Sequence, residues 1–389
     1  MKKSSVKKQG KIRVFVAMSG GVDSSVAAYL LKKQGYDVTG VFMKCFNIDG
    51  CAEKDAFDAR RVAEHLKIPF YVFDFEKEYK KRVVKYMVDG YREGLTPNPD
   101  VMCNKEIKFG LFLEKALKLG ADYVATGHYV RIREFESQKL KVKRIEEIKN
   151  FKLDKLYKLF TACDASKDQS YFLWTLTQNE LQYCLFPVGD YLKSEVRAIA
   201  KKAGLPTAEK KDSQGICFLG DVSIRDFLKN YIKPKKGVIM TTDGKKIGEH
   251  NGVWFYTIGQ RHGLNLKTKN QELRIKGKYE TKPHYVVLKS VKTNTLVVAE
   301  GEDNPVLKQK EIELINLSFL RPVIHNSLFK IQVLVRVRYR QPLTEATLFL
   351  EKENLARLQF KTPQKFIASG QSAVFYTDSG EMLGGGVIL

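Results

Sequence analysis

Residues 19–24 read Ser-Gly-Gly-Val-Asp-Ser, with a further serine at 25. Glycines let a backbone take turns closed to other residues and come close to a ligand. The hydroxyls of Ser19, Ser24 and Ser25 add donors, and a helix starting behind the loop would offer unpaired N–H groups and the positive end of its dipole. Such a loop suits an anion, and pyrophosphate is the natural candidate. It is not the Walker loop, which needs a lysine after its last glycine. Asp23 would repel phosphate, so its carboxylate suits a magnesium ion better, since that ion takes hard oxygen ligands.

Two cysteines stand in segments that could do sulfur chemistry. Residues 96–109 read Thr-Pro-Asn-Pro-Asp-Val-Met-Cys-Asn-Lys-Glu-Ile-Lys-Phe. The prolines stiffen the approach and keep it out of helix. Cys103 is then expected near a helix start, where the dipole lowers a thiol pKa, with Lys105 and Lys108 acting the same way. Asp100 could serve as acid or base. Residues 212–221 read Asp-Ser-Gln-Gly-Ile-Cys-Phe-Leu-Gly-Asp and place Cys217 in a turn-prone stretch between glycines. Accessible thiols brought together by folding can exchange sulfur through persulfide and disulfide intermediates. Cys45, Cys51, Cys163 and Cys184 read as structural, buried thiols. All six cysteines fall within the first 217 residues and none forms a Cys-x-x-Cys pair, so neither a secreted disulfide framework nor a structural zinc site is expected.

The elements that must position these groups follow from periodicity. Residues 12–18 read as a buried strand and 24–34 as a helix closed by Gly35. Strands at 37–43, 70–73 and 122–126 alternate with helices at 53–66, 78–92 and 105–119. Such alternation predicts an α/β fold with a doubly wound parallel sheet, whose ligands gather at the carboxyl ends of strands. Met18, Met43 and Gly127 fall at such ends. A helical region is expected from Gln169 to about Ala203. Residues 139–158 carry eight Lys or Arg against three acids and read as an exposed hairpin or loop. After about residue 225, turn pairs such as Asp243-Gly244 and Asn251-Gly252 punctuate strand-like runs, which predict a small β-rich module and then a β-barrel. The boundaries drawn are 1–224, 225–304 and 305–389.

Length and charge bound the function. The 389 residues carry a formal net charge of +23, which favours polyanionic partners. No apolar run reaches the roughly 18 residues of a membrane span. Six basic residues and no acid occupy the first 13 positions without a secretory pattern, so a cytoplasmic location is the default expectation.

The glycine loop resembles the PP-loop of enzymes that split ATP into AMP and pyrophosphate. With it come, in order, Asn98-Pro99-Asp100, Cys103-Asn104, Ala125-Thr126-Gly127-His128-Tyr129, Lys167-Asp168-Gln169-Ser170-Tyr171, Gly215-Ile216-Cys217-Phe218, Thr257-Ile258-Gly259-Gln260-Arg261-His262-Gly263, Arg338-Tyr339-Arg340-Gln341 and Gly370-Gln371. The ordered set spans nearly the whole chain and resembles the tRNA-specific 2-thiouridylase family. The resemblance implies an adenine nucleotide alpha hydrolase-like PP-loop domain, a central tRNA-binding domain and a C-terminal barrel. It implies that ATP, with Mg²⁺, is held by Ala17, Met18, Ser19, Gly20, Gly21, Val22, Asp23, Ser24, Ser25, Met43 and Gly127. Asn98, Pro99 and Asp100 would meet the target base. Cys103 would be the nucleophile and Cys217 the persulfide carrier, with Asp100 assisting. His128, Lys167, Asp168, Gln169, Arg338, Tyr339 and Gln371 would touch tRNA. A sulfur-donor protein and tRNAs reading Lys, Glu and Gln codons would be the partners, no resident metal site is expected, and a monomer is the default. Basic segment 139–158 is longer than the family pattern. A PP-loop ligase such as an amidating or lysidine synthetase is the nearest alternative; it needs no thiol pair, so alkylation would spare it. A tRNA-binding nucleotide sensor would bind RNA but release no pyrophosphate.

Overall fold

The computed structural model describes residues 10–46, 50–136, 155–212, 222–266, 282–321, 329–352 and 354–389. The chain divides into two compact units: Met1–Tyr79 with Cys103–Gly220, and Lys80–Met102 with Asp221–Leu389.

In chain order the first part holds β1 (Arg13–Ala17), α1 (Val22–Lys33), β2 (Asp37–Lys44), α2 (Cys51–His65), β3 (Phe70–Asp74), α3 (Glu76–Tyr79), α4 (Lys85–Arg92), α5 (Pro99–Cys103), α6 (Leu113–Lys118) and β4 (Tyr123–Ala125). The antiparallel pair β5 (Val130–Glu136) and β6 (Lys155–Thr161) follows. Next come α7 (Gln178–Leu181), β7 (Cys184–Leu185), α8 (Lys193–Lys202) and α9 (Ile224–Lys229).

The first unit is built on a five-stranded sheet in the order β3-β2-β1-β4-β7, with every pairing parallel. Chain order runs outward from β1 to one side and then resumes at β4 on the other, so the switch point lies between β1 and β4. That is where open α/β sheets bind ligands. The strands are Val-rich because both faces are covered. Val14, Val16, Val22, Val26, Leu31 and Val62 form one core with Met18 beneath the glycine loop. Each such side chain contributes about 1.5–3 kcal/mol relative to exposure.

Four expectations need correction. The helix bearing Cys103 begins at Pro99, not beside the cysteine. Proline is tolerated at a first helical position because that N–H is unpaired anyway, and Asn98 ahead of it accepts from the Val101 N–H at 3.2 Å as a cap. Cys103 therefore lies a turn inside the helix. Second, the helical stretches at 80–84 and 104–112 are π-helical, a hydrogen-bond register that apolar periodicity does not report. Third, no single helix runs from Gln169 to Ala203: a 3₁₀ turn at Ser170–Phe172, α7 and the two-residue β7 precede α8. Pro187 and Gly189 forbid continuity, and Gly189 has room for no side chain, since a Cβ there would sit 1.9 Å from the Val130 carbonyl oxygen. Fourth, of the cysteines read as buried, Cys184 is buried, Cys45 is half-buried and Cys163 is exposed. The side chain of Cys51 lies outside the described residues.

In the second unit, β8 (Gly237–Thr241), β9 (Lys246–His250), β10 (His284–Ser290) and β11 (Thr295–Glu300) form a sheet in the order β10-β11-β8-β9. The C-terminal strands are β12 (Lys308–Phe319), β13 (Phe329–Arg336), β14 (Thr344–Lys352), β15 (Leu355–Lys365), β16 (Ser372–Tyr376) and β17 (Glu381–Ile388). They run β12-β15-β14-β13-β16-β17, and β17 returns to β12, which closes a six-stranded antiparallel barrel. Its interior is filled by Leu314, Val335, Leu348, Leu358, Ala373 and Phe375.

Candidate active site

The loop after β1 is shaped by its own sequence. Gly20 has φ +73°, and a Cβ there would lie 2.3 Å from the Asp55 carbonyl oxygen. Any side chain would thus be both strained and blocked by backbone. Gly21 caps α1 with extended backbone. The Ser24 hydroxyl accepts from the Ser19 N–H at 3.1 Å and donates to the Gly21 carbonyl at 3.2 Å, while Ser25 donates to the same carbonyl at 2.8 Å. Thr207 in turn donates to the Ser25 hydroxyl at 2.9 Å. Two of the serines therefore build the loop, and Ser19 is the exposed one. The first N–H groups of α1 have no partners within the helix and face an incoming anion.

The loop after β4 closes the other side. A Cβ on Gly127 would lie 2.6 Å from the Ser24 nitrogen and 2.7 Å from the Asp23 carbonyl carbon. The loop after β4 and the start of α1, 103 positions apart at Ser24 and Gly127, thus touch through backbone at the switch point. Met18 is buried beneath them, and Gly40 leaves room for its sulfur, which a Cβ would approach to 2.6 Å. Met43 is partly exposed near the end of β2.

Asp23, at the second position of α1, is compensated. The Tyr129 hydroxyl donates to its Oδ1 at 2.8 Å and Lys193 Nζ at 2.6 Å. Burial and then the neighbouring Asp23 charge hold the Tyr129 phenol far above its ordinary pKa, so it remains a donor. Lys193 also meets Asp212 at 2.9 Å, and Asp212 further receives Arg197 at 2.6 Å and Lys167 at 2.8 Å. Burial opposes ionisation of Asp212, but hydrogen bonds and charge from Lys167 and Lys193 outweigh it and bring its pKa to about 2. Arg197 also donates to the carbonyls of Ala208 and Lys210 at 3.0 Å each. The chain from Thr207 to Asp212 is therefore laced to α1 and α8. One carboxylate beside a phosphate loop is a donor set that fits a Mg²⁺ ion carried mainly by phosphate oxygens. Among the described residues, no cluster of three or more His, Cys, Asp or Glu could hold a metal by itself.

His128 stands among Phe109 and Phe186, with ring centroids 6.0 and 6.4 Å away, and its Nδ1 lies 2.6 Å from the Thr126 hydroxyl. Burial, with help from the Lys108 charge, depresses its pKa well below the ordinary histidine value, so it is neutral at physiological pH. Asp168 is buried, and its carboxylate accepts from the Ala162 N–H, the Ser170 N–H and the Ser170 hydroxyl. Gln169 exchanges hydrogen bonds with the Tyr129 backbone. Both order the turn around Lys167, whose side chain is a third exposed.

Thus the first unit brings together residues 17–25, Met43, Gly127, His128, Lys167, Asp168 and Gln169. Cys103 belongs to this unit and is 4% exposed. Asp100 lies three residues before it on α5, on the same helical face. Cys217 lies outside the described residues. Asn98, Pro99, Asp100, Arg338, Tyr339 and Gln371 belong to the second unit. There Arg338 reaches the Ile258 carbonyl at 3.5 Å, and Arg340 lies 5.4 Å from the Tyr339 ring centre. Sequence alone does not mark Lys193, Asp212 and Arg197 as site residues. Their signal was present only as the acid opening the Cys217 segment and an i,i+4 Lys-Arg pair on α8.

A phosphate-cradling loop at the switch point of a parallel sheet, with a compensated carboxylate beside it, defines an α/β enzyme that handles a nucleotide. Family models cover the chain as a tRNA methyl transferase HUP domain at residues 12–221, a tRNA methyl transferase PRC-barrel domain at 225–300 and an aminomethyltransferase beta-barrel domain at 309–388. A tRNA-specific 2-thiouridylase MnmA of Streptococcus equi subsp. zooepidemicus is 45% identical over 97% of this chain and 95% of its own length. The protein of that name from Streptococcus pyogenes serotype M2 is 45% identical, and that from Streptococcus thermophilus 44%, each with the same coverage. Among solved structures, a 4-thiouridine synthetase–RNA complex with bound ATP aligns at TM-score 0.32 and 20% identity, over 56% of this chain and 50% of that one. That likeness carries no weight. The chain belongs to the tRNA-specific 2-thiouridylase family, whose members modify tRNA. No described helix is long and apolar enough to cross a membrane.

Proposed function

We propose that this chain is a tRNA-uridine 2-sulfurtransferase. It adenylates the 2-oxygen of the wobble uridine with ATP and replaces that oxygen with sulfur from a persulfide on Cys217, giving 2-thiouridine, AMP and pyrophosphate. The carrying observation is the tie from the phosphate loop through Asp23, Lys193 and Asp212 to the start of the segment that holds Cys217. Cys217 is five positions beyond Asp212, at most about 18 Å of extended chain. Two of the family models carry methyl-transferase names, but the sulfonium donor S-adenosylmethionine has no phosphate to fill this cradle.

Residues 17–25, Met43 and Gly127 would hold ATP, and Asp23 would share a Mg²⁺ ion with its phosphates. Bound there, the metal would stabilise charge on the departing pyrophosphate. The N–H groups of α1 serve the same charge. Asn98, Pro99 and Asp100 would receive the extruded base, and Asp100 would move protons. The terminal sulfur of the Cys217 persulfide would attack carbon 2 and displace AMP, after which Cys103 would attack the Cys217 sulfur, break the S–S bond and release 2-thiouridine. Alternatively, Cys103 would attack the Cys217 sulfur first and release hydrosulfide, which displaces AMP from carbon 2. Either route leaves a Cys103–Cys217 disulfide, which a thiol must reduce before another turnover. His128, Lys167, Asp168, Gln169, Arg338 and Tyr339 would order or contact tRNA, Arg at phosphate and Tyr by stacking. Three domains, 1–224, 225–304 and 305–389, are supported by the gaps between the family models. The enzyme would work as a cytoplasmic monomer on Lys, Glu and Gln tRNAs, fed by a persulfide-carrying protein.

The test is mass spectrometry of tRNA nucleosides after incubation with ATP, Mg²⁺ and a persulfide-carrying sulfur donor. Sulfur gained at the wobble uridine is expected, and its absence with the intact chain would refute the reading. Cys103→Ser should abolish thiolation yet keep ATP binding. Normal thiolation by that variant would remove Cys103 from the chemistry.

A further inference from the structure

Residues 93–97 lead from α4 into Asn98-Pro99-Asp100, and the β8–β11 module of the same unit grips that connection at three points. α4 ends at Arg92, so its last carbonyls have no partner within the helix. The Trp254 indole N–H donates to the Arg92 carbonyl at 3.0 Å. Lys289 on β10 donates from Nζ to the Tyr256 carbonyl at 2.9 Å and reaches the Leu95 carbonyl at 3.5 Å. Gly94 has φ +82°, and a Cβ there would lie 2.6 Å from Cγ2 of Val291, in the turn between β10 and β11. The connection is also closed on itself. The Leu95 N–H donates to the Gly90 carbonyl at 2.9 Å, and Pro97 packs on Gly90, where a Cβ would lie 3.0 Å from the proline Cγ. Lys289 spends its charge on carbonyls, since among the described residues no carboxylate pairs with it. Burying an ammonium without a counter-charge costs stability, so its use here points to geometry that must be held.

We propose that Trp254 and Lys289 are positioning residues for the target-base motif: they hold the end of α4 so that Asn98, Pro99 and Asp100 stand where the extruded uridine arrives. This rests on the thiouridylase reading, in which residues 98–100 meet the base. The central module then serves the reaction by geometry as well as by binding tRNA. The physical link is short. Asn98 is three positions beyond Leu95. Pro97 and Pro99 have fixed φ, so few rotations can absorb a shift of Leu95 before it reaches Asn98 and Asp100. Reacting groups misplaced by about 1 Å can lose about a hundredfold in rate.

Trp254→Phe removes the indole N–H and keeps an aromatic ring, and Lys289→Met removes the ammonium and keeps most of the stem. Expected in each is a fall of about threefold to tenfold in the single-turnover rate of thiolation at saturating tRNA, with a larger fall when the two are combined. The dissociation constants for tRNA in filter binding and for ATP in calorimetry should not change. Hydrogen exchange should quicken at the Gly94 and Leu95 amides, whose bonds to the Tyr91 and Gly90 carbonyls close α4. Lys289→Arg keeps a donor and should recover most of the rate. Weakened tRNA binding with an unchanged rate on bound tRNA would make these side chains RNA contacts and overturn the proposal. So would unchanged rate, affinity and exchange in both variants. If the unsubstituted chain adds no sulfur to tRNA, the thiouridylase reading fails. Exchange at Gly94 and Leu95 then still decides whether the grip exists.

Discussion

At the scale of single residues, Lys193 does the most with one group. Its ammonium, 12% exposed, neutralises Asp23 in the phosphate loop and Asp212 at the start of the Cys217 segment. Removing it would leave two carboxylates facing each other near an anion site, where repulsion falls on the ligand as well. Lys193→Met is expected to weaken ATP binding about tenfold or more, or roughly 1.4 kcal/mol. Lys193→Arg should retain most of the affinity. Calorimetric titration with ATP checks this, and equal affinity in the Met variant would show that the ammonium serves only folding. None of this network was legible in sequence, because it joins positions 23, 129, 193 and 212 by side chains whose meeting depends on the sheet order. The loop itself was legible, since its chemistry is written in six consecutive residues.

Elements set where those residues stand. The loops after β1 and β4 meet through Gly127 and the first turn of α1, with no room for a methyl group. Gly127→Ala should displace the N–H groups of that turn. We expect a several-fold rise in KM for ATP and a stability loss of about 1–3 kcal/mol, read from denaturant unfolding. An unchanged KM would mean that the loops tolerate separation. Strand and helix alternation made the parallel sheet readable, because period 3.6 and apolar runs are local signals. The two-residue β7 was missed: Cys184 and Leu185 become a strand only by pairing with Val124 and Ala125. Reading Pro99 as a barrier puts Cys103 at a helix start. The pair Asn98-Pro99 in fact carries the start signal, a cap followed by a first-position proline.

At the scale of the molecule, the second unit includes buried polar links. Lys289 donates to the Tyr256 carbonyl at 2.9 Å and reaches the Leu95 carbonyl at 3.5 Å. Burial lowers its pKa from 10.5 to about 8. In the unfolded chain it keeps its proton up to the higher value, so between pH 8 and 10.5 the unfolded state binds more protons and folding gains as pH rises. The stability of the wild type relative to Lys289→Met should therefore increase across that window. A difference that is flat with pH would contradict it. Closure of the barrel was only broadly legible, since β12 meets β17 across most of the domain's length. The division of the chain carries a further consequence. Residues 80–102 are made early but pack with residues made late: Trp254 donates to the Arg92 carbonyl at 3.0 Å, and Gly94 abuts Val291. A nascent polypeptide that has reached residue 220 holds every strand of its parallel sheet, while Tyr91, whose hydroxyl meets Thr257, still awaits companions not yet translated. Biogenesis thus includes an interval of exposed apolar surface, during which chaperone capture or aggregation competes with completion.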